Sequence, residues 1–76
     1  IEIKVLLKEG FLHLSFSQPM GDGCRIRLFN MNGVLVRSDI LSGDNLCKWD
    51  MHGLSSGVYL IKVESEVYFT TLKIIL

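Results

Sequence analysis

Apolar and polar residues alternate along most of this 76-residue chain, in short segments separated by turn-forming residues. Because successive side chains of a β-strand point to opposite faces, this alternation is typical of strands with one buried and one solvated face. No 3.6-residue periodicity persists long enough to predict a helix. The turns recur about every 8–12 residues, a spacing typical of sandwiches and barrels. They lie at Gly10, 18–23, 30–33, 42–45 and 52–57.

The alternation predicts seven strands and the residues of each that share the inward face. The fourth segment is less regular, because Leu35 falls on its predicted outer face. The predicted inward residues, strand by strand, are Ile1, Ile3, Val5 and Leu7; Leu12, Leu14 and Phe16; Cys24, Ile26 and Leu28; Val34 and Val36; Cys47, Trp49 and Met51; Tyr59, Ile61 and Val63; and Tyr68, Thr70, Leu72, Ile74 and Leu76. We therefore predict one domain over residues 1–76, an all-β, seven-stranded antiparallel sandwich of immunoglobulin-like or fibronectin-III-like type.

Three turns carry specific predictions. Asn32-Gly33 predicts a hairpin in which both central residues have positive φ, and Glu9-Gly10 predicts a similar turn between the first two strands. The segment "LSSGVY", residues 54–59, has the spacing of a tyrosine corner, in which a tyrosine hydroxyl bonds to the backbone a few residues upstream. Here Gly57 would permit the tight turn and Leu54 would anchor the loop to the core.

The charge balance argues against several classes of binding protein. Eight Lys and Arg residues balance eight Asp and Glu residues, and they are scattered singly. A nucleic-acid-binding domain would carry a basic excess on one face. Arg25, Arg27 and Arg37 would form at most a small basic stripe, better explained as a solvated face. The sequence starts at Ile1 without a methionine and without the basic start and apolar stretch of a signal peptide, so we expect it to be a domain of a longer protein. No apolar run approaches the ~20 residues needed to span a bilayer as a helix, and we expect the domain to meet a membrane only indirectly.

Cys24 and Cys47 are both predicted to face inward, from strands that could lie on opposite sheets. They would form either a disulfide, worth roughly 3 kcal/mol for a loop of this length, or two buried free thiols. Neither cysteine has a neighbouring motif that would lower its pKa and make it reactive.

Catalytic and cofactor sites are not predicted. The cysteines and His13 and His52 lack zinc-ligand spacing. No "GxSxG" nucleophile elbow is present, and Ser55 and Ser56 are typical turn formers. Tyr59 has no neighbouring base that would make it a catalytic acid. We therefore expect no catalytic residue, no metal, no cofactor and no small-molecule substrate.

From Arg25 onward the chain resembles the type A C-terminal sorting domain of the bacterial type IX secretion system. The matching segments are "RIRLFNMNGVLV", "LCKWDMHGLSSGVYLIKVESE" and "TTLKIIL". In that family, Asp/Asn-x-x-Gly follows one strand, Leu-x-x-Gly-x-Tyr precedes a later strand, and a lysine lies near the C-terminus. The corresponding positions are Asn30, Gly33, Leu54, Gly57, Tyr59 and Lys73. The "PNP"-like segment with which the family usually begins is replaced here by "IEIKVLLKEG".

The resemblance implies a non-catalytic signal that directs a cargo protein from the periplasm across the outer membrane of Bacteroidetes-type bacteria, to be secreted or held at the cell surface. It implies two partners, the outer-membrane secretion machinery and a surface-attachment peptidase. The alternative is a fibronectin-III-like accessory module of a secreted enzyme. A module of this kind that binds carbohydrate would need exposed aromatic residues on one flat face.

Overall fold

The computed structural model describes residues 1–66 and 68–76, which form seven antiparallel strands in two sheets. One sheet has the order β1-β2-β5 and the other β4-β3-β6-β7. The described residues include no helix, and hence none that could span a membrane. The predicted all-β sandwich is confirmed. The strands are β1 (Ile3–Lys8), β2 (Phe11–Phe16), β3 (Asp22–Phe29), β4 (Leu35–Ser42), β5 (Leu46–Asp50), β6 (Val58–Glu64) and β7 (Phe69–Ile75).

The core lies between the two sheets and is built mainly from the inward residues of four of the seven predicted segments. The predicted inward positions of β2, β3, β5 and β6 are all buried, together with Met51. No polar or charged side chain is fully buried among the described residues. The β7 positions are half-buried and pack against the edge of this core. The buried residues are Leu12, Leu14, Phe16, Met20, Cys24, Ile26, Leu28, Leu41, Cys47, Trp49, Met51, Tyr59, Ile61 and Val63.

Strand β1 has the predicted alternation but not the predicted burial. Val5 pairs with Leu14 and Leu7 with Leu12, so both point to the core side of the sheet. Even so, Val5 is 41% exposed and Leu7 45% exposed. The reason is that β1 is an edge strand, so its side chains have a neighbouring strand, β2, on one side only. The prediction that every segment buries one face is therefore wrong for β1.

Strand β4 also departs from the prediction, because a β-bulge shifts its register. Leu28 pairs with Arg37 and the next residue, Phe29, pairs with Leu35, so Val36 is the extra residue. Val36 is half-buried, but Val34 lies outside the strand and is exposed. Beyond the bulge the inward positions are Arg37, Asp39 and Leu41, and only the last is buried.

The predicted basic stripe is therefore incomplete. Arg25 and Arg27 pair with Ile40 and Ser38 on the outer face, whereas Arg37 points to the other side of the sheet. Arg37 donates from Nε to the Asp50 carbonyl at 3.2 Å and from Nη1 to its neighbour's carbonyl at 2.7 Å. It links the edges of the two sheets at the β4–β5 side of the sandwich.

Both predicted hairpins are present, but one turn differs in type. Glu9 and Gly10 have φ of 54° and 82°, the two positive values expected for a two-residue hairpin turn. In the other hairpin only Gly33 has positive φ, 77°, and Asn32 does not. This connection is a type I turn followed by a left-handed glycine, the three-residue hairpin loop.

Candidate functional site

Two loops and the last strand meet at one end of the sandwich, which we call the motif end: residues 30–34, residues 54–57 and Leu76. The loop after β3 and the loop before β6 line one open surface depression, to which Asn30, Gly57 and Tyr59 contribute. The antiparallel order β3-β6-β7 explains the grouping, because the end of β3, the start of β6 and the end of β7 lie side by side. Four of the six predicted motif residues thereby lie at the motif end, and a fifth, Tyr59, bonds to it through the Ser55 carbonyl.

Asn30 organises the loop after β3 through its side-chain oxygen. Asn30 Oδ1 accepts from the backbone N–H groups of Asn32 at 2.9 Å and Val34 at 3.0 Å. The Gly33 N–H donates to the Asn30 carbonyl at 3.0 Å, closing the turn. The Asn-x-x-Gly spacing follows from these two roles. Asn30 supplies a short side-chain acceptor at the first position, and Gly33 tolerates the positive φ at the last.

Tyr59 forms the predicted tyrosine corner. Its side chain is buried, and its hydroxyl donates to the Ser55 carbonyl at 2.7 Å. The ring supplies apolar area to the core while the hydroxyl holds the loop that precedes β6. Leu54 packs against the core, and its N–H donates to the Met51 carbonyl at 3.2 Å. The segment "LSSGVY" is therefore a rigid corner.

Gly57 connects this corner to the C-terminal strand. The Leu76 N–H donates to the Gly57 carbonyl at 2.8 Å, and the Gly57 N–H donates to the Leu76 carbonyl at 3.1 Å. Gly57 has φ of 146°, a value that side chains rarely adopt, although a Cβ built there would meet no atom within 4 Å. The backbone conformation, and not crowding, is what requires glycine.

Lys73, the sixth motif residue, lies apart from the motif end on the outer face of β7. It pairs with Leu60 of β6, which in turn pairs with Phe29 of β3. Its side chain is exposed and forms no ion pair with any acidic residue in the part of the chain that the structure describes. Leu76 directs its backbone N–H and C=O groups to β6. This direction alternates from one residue to the next along an antiparallel strand, so Lys73, three residues away, directs its N–H and C=O groups to the open edge of the sheet.

Cys24 and Cys47 lie on opposite sheets, as predicted, and both are buried free thiols in this structure. Burial raises the pKa of Cys47 to about 12, and the Asp39 carboxylate adds to the effect by accepting from the thiol at 3.8 Å. Burial also raises the pKa of Cys24. A raised pKa disfavours the thiolate, which is the reactive form of a cysteine. A disulfide between them remains a prediction.

The sequence did not indicate a polar cluster that the fold assembles beside the β1–β2 turn. The His52 Nδ1 and the Asp50 Oδ1 are 2.7 Å apart, and the His52 backbone N–H donates to the same oxygen at 2.9 Å. These bonds lower the pKa of Asp50. His52 contacts the edge of the Phe11 ring, and a Cβ on Gly10 would collide with the imidazole. The cluster therefore packs His52 against the β1–β2 turn.

Candidate metal and sugar sites gain no support from the geometry. No group of three or more His, Cys, Asp or Glu side chains in residues 1–66 and 68–76 is arranged to hold a metal ion. Trp49 and Tyr59 are buried, so neither can stack on a sugar. Phe69 is exposed, but its neighbours on the outer face of β7 are Thr71 and Lys73.

The arrangement at the motif end agrees with a comparison against protein families. The family described as the secretion system C-terminal sorting domain matches residues 8–76. The chain belongs to this family. A comparison with curated proteins found no significant match. The matched region starts at the last residue of β1, so nearly all of that strand precedes it.

Family membership establishes the function that the resemblance implied. The sorting domain is a C-terminal signal for type IX secretion and acts with that machinery, and the usual context of the family is Bacteroidetes. Its cargo is exported through the outer membrane to the cell surface or beyond it. The family is not catalytic, which is consistent with a motif composed of turn-forming and packing residues.

Proposed function

We propose that strand β7 is the part of the sorting domain that the secretion machinery recognises, and that the motif end holds this strand in place. The single observation that carries the proposal is the reciprocal pair of hydrogen bonds between Gly57 and Leu76. It attaches the chain's last residue to the corner built by Leu54 and Tyr59. In this view Asn30, Gly33, Leu54, Gly57 and Tyr59 act by positioning, and a partner contacts β7.

Lys73 is the recognition residue that this arrangement favours. An exposed cation with no acidic partner among the described residues contributes little to folding, because surface charges add at most about 1 kcal/mol even when paired. Its backbone lies at an open sheet edge, where a partner strand can pair. Lys73 therefore offers a charge and two backbone groups at the same position.

The protein partners follow from the sorting role. We propose that the domain ends a longer secreted protein, that the outer-membrane machinery binds β7, and that a surface-attachment peptidase then removes the domain from its cargo. The domain itself performs no chemistry, and the two buried thiols with raised pKa are consistent with that role.

A secretion assay tests the proposal. A reporter fused ahead of the domain is expressed with a periplasmic leader in a bacterium that has type IX secretion. Deleting residues 73–76 is expected to leave the reporter in the periplasm, but it also removes the bonds to Gly57. Lys73→Glu changes only an exposed side chain, and we expect it to reduce surface delivery at least tenfold.

The matched control is Lys4→Glu, which places the same charge change at an exposed position of the other sheet. It should secrete normally, and circular dichroism should show that both variants fold. Normal secretion by Lys73→Glu, or an equal loss with both variants, would contradict recognition at Lys73.

A further inference from the structure

We propose that the free edge of β1 pairs with the same edge of a second copy of this chain, as an antiparallel β1–β1 dimer. This inference does not depend on the proposed function. It concerns a strand that lies almost entirely outside the family match. Strand β1 differs from β4, an edge strand of the other sheet, in features that leave β1 open to pairing with another chain.

The β4 edge has a bulge and inward charges, and the β1 edge has neither. Strand β4 has a bulge, and two of its inward positions are the charged residues Arg37 and Asp39, features that keep an edge from pairing with another chain. Strand β1 has no bulge, no proline and no inward charge. Its inward residues are all apolar, and Val5 and Leu7 are exposed. An exposed, regular apolar edge invites a strand.

The backbone of β1 is oriented to accept that strand. The Ser17 N–H donates to the Glu2 carbonyl at 2.9 Å, so Glu2 directs its backbone groups to β2. Because this direction alternates along an antiparallel strand, Lys4, Leu6 and Lys8 also direct their backbone groups to β2. The N–H and C=O groups of Ile3, Val5 and Leu7 then point to the free edge.

The sequence of β1 is complementary to itself in one antiparallel register. With Val5 opposite Val5 of the second copy, Ile3 lies opposite Leu7, and these residues have the outward backbone groups that the pairing needs. On the outer face, Glu2 lies opposite Lys8 of the other copy, twice by symmetry. Lys4 lies opposite Leu6. The next registers that keep the backbone groups aligned are shifted by two residues. They place Lys4 opposite Lys4 or opposite Lys8 of the second copy, and like-charge repulsion disfavours both.

The result is a two-fold symmetric pairing in which each three-stranded sheet continues into its partner. Such an interface is isologous, because the same residues contribute from both copies. The apolar side chains of β1 that are exposed in one copy gain cross-strand neighbours in the pair. A second copy therefore supplies hydrogen bonds, apolar contacts and two ion pairs from one short segment.

Sedimentation of the purified 76-residue chain over a range of concentrations tests the proposal. We expect a reversible dimer. Val5→Pro removes an outward N–H without removing a bond to β2, and we expect it to weaken dimerisation at least tenfold while leaving the fold intact by circular dichroism. Glu2→Lys and Lys8→Glu should each weaken it, and the double variant should restore it. Lys48→Glu, two strands away, is the matched control.

Cross-linking provides an independent readout of the register. Val5→Cys places two thiols across the symmetry axis, where we expect a disulfide-linked dimer after mild oxidation. A chain that stays monomeric at all accessible concentrations would overturn the proposal. So would dimerisation that Val5→Pro does not weaken, or charge-reversed single variants whose defects the double variant does not correct.

Discussion

Gly57 and Leu76 exchange two backbone hydrogen bonds, of 2.8 and 3.1 Å, and so join the sorting motif to the last residue of the chain. The two residues are 19 positions apart in sequence. Their pairing converts a loop motif into an anchor for β7. This relationship is a physical reason for the predicted role of Gly57 and Tyr59, which have no chemistry of their own, in a secretion signal.

Gly57→Ala should destabilise the anchor. The residue has φ of 146°, and forcing a side chain into such a conformation costs about 1–3 kcal/mol. We expect a lower urea midpoint and faster amide hydrogen exchange at Leu76, measured by NMR. Ser56→Ala, next to it in the same loop, is the control. If both variants exchange at the same rate at Leu76, the conformational argument is wrong.

Tyr59→Phe should lower the free energy of unfolding by roughly 1 kcal/mol, the usual net value of one hydrogen bond. It removes the bond to the Ser55 carbonyl but keeps the buried ring. The cost should lie near this value because Ser55 is exposed and water can replace the lost donor. Urea denaturation measures the change. Tyr68→Phe leaves that bond in place and serves as the control.

Replacing the inward charges of β4 should make that edge associate. Arg37→Val with Asp39→Val gives β4 apolar inward residues without changing its outer face. We expect concentration-dependent oligomers in sedimentation, beyond any formed by the parent chain. Ser38→Val adds the same side chain on the outer face of the same strand. Equal association by the two variants would show that inward charge does not protect the edge.

The two thiols should be almost inert in the folded protein. With the pKa of Cys47 at about 12, the reactive thiolate is roughly 10⁻⁵ of the population at neutral pH. We expect a thiol reagent such as dithionitrobenzoate to react only as the chain unfolds, so that labelling follows the urea transition. Labelling that needs a reductant even in urea would instead identify a disulfide between Cys24 and Cys47.

Acid should weaken the fold in part through Asp50. Hydrogen bonds from His52 lower the pKa of this carboxyl below 3.8, so its ionised form favours the folded state. That contribution is present at pH values above the unfolded pKa and is lost as the pH falls through the lower folded pKa. Urea midpoints of the parent chain should therefore fall more steeply between about pH 5 and pH 2 than those of Asp50→Asn. Equal slopes would contradict the assignment.

The candidate site was predictable where spacing alone defines its local structure. The Tyr59 bond to Ser55 follows from a corner motif read within six residues, and the Asn30 turn follows from an Asn-x-x-Gly spacing. The Asp50–His52 cluster was not predictable, because its partners Gly10 and Phe11 are far away in sequence. The predicted turn type at Asn32 was wrong, because the residue pattern does not reveal the length of a hairpin loop.

By itself, the sequence determined the strands, their alternation and most of the core. A period of two is a local property, so the inward residues of β2, β3, β5 and β6 follow from the order of the residues. Only the tertiary structure decided which strands are covered. Leu7 has the same alternation as Leu12 beside it, yet Leu7 is 45% exposed and Leu12 1%. Leu12 lies on β2, which has a strand on both sides, whereas Leu7 lies on the edge strand β1. The bulge at Val36 and the placement of Arg37 likewise depend on pairing between strands, which no single segment records.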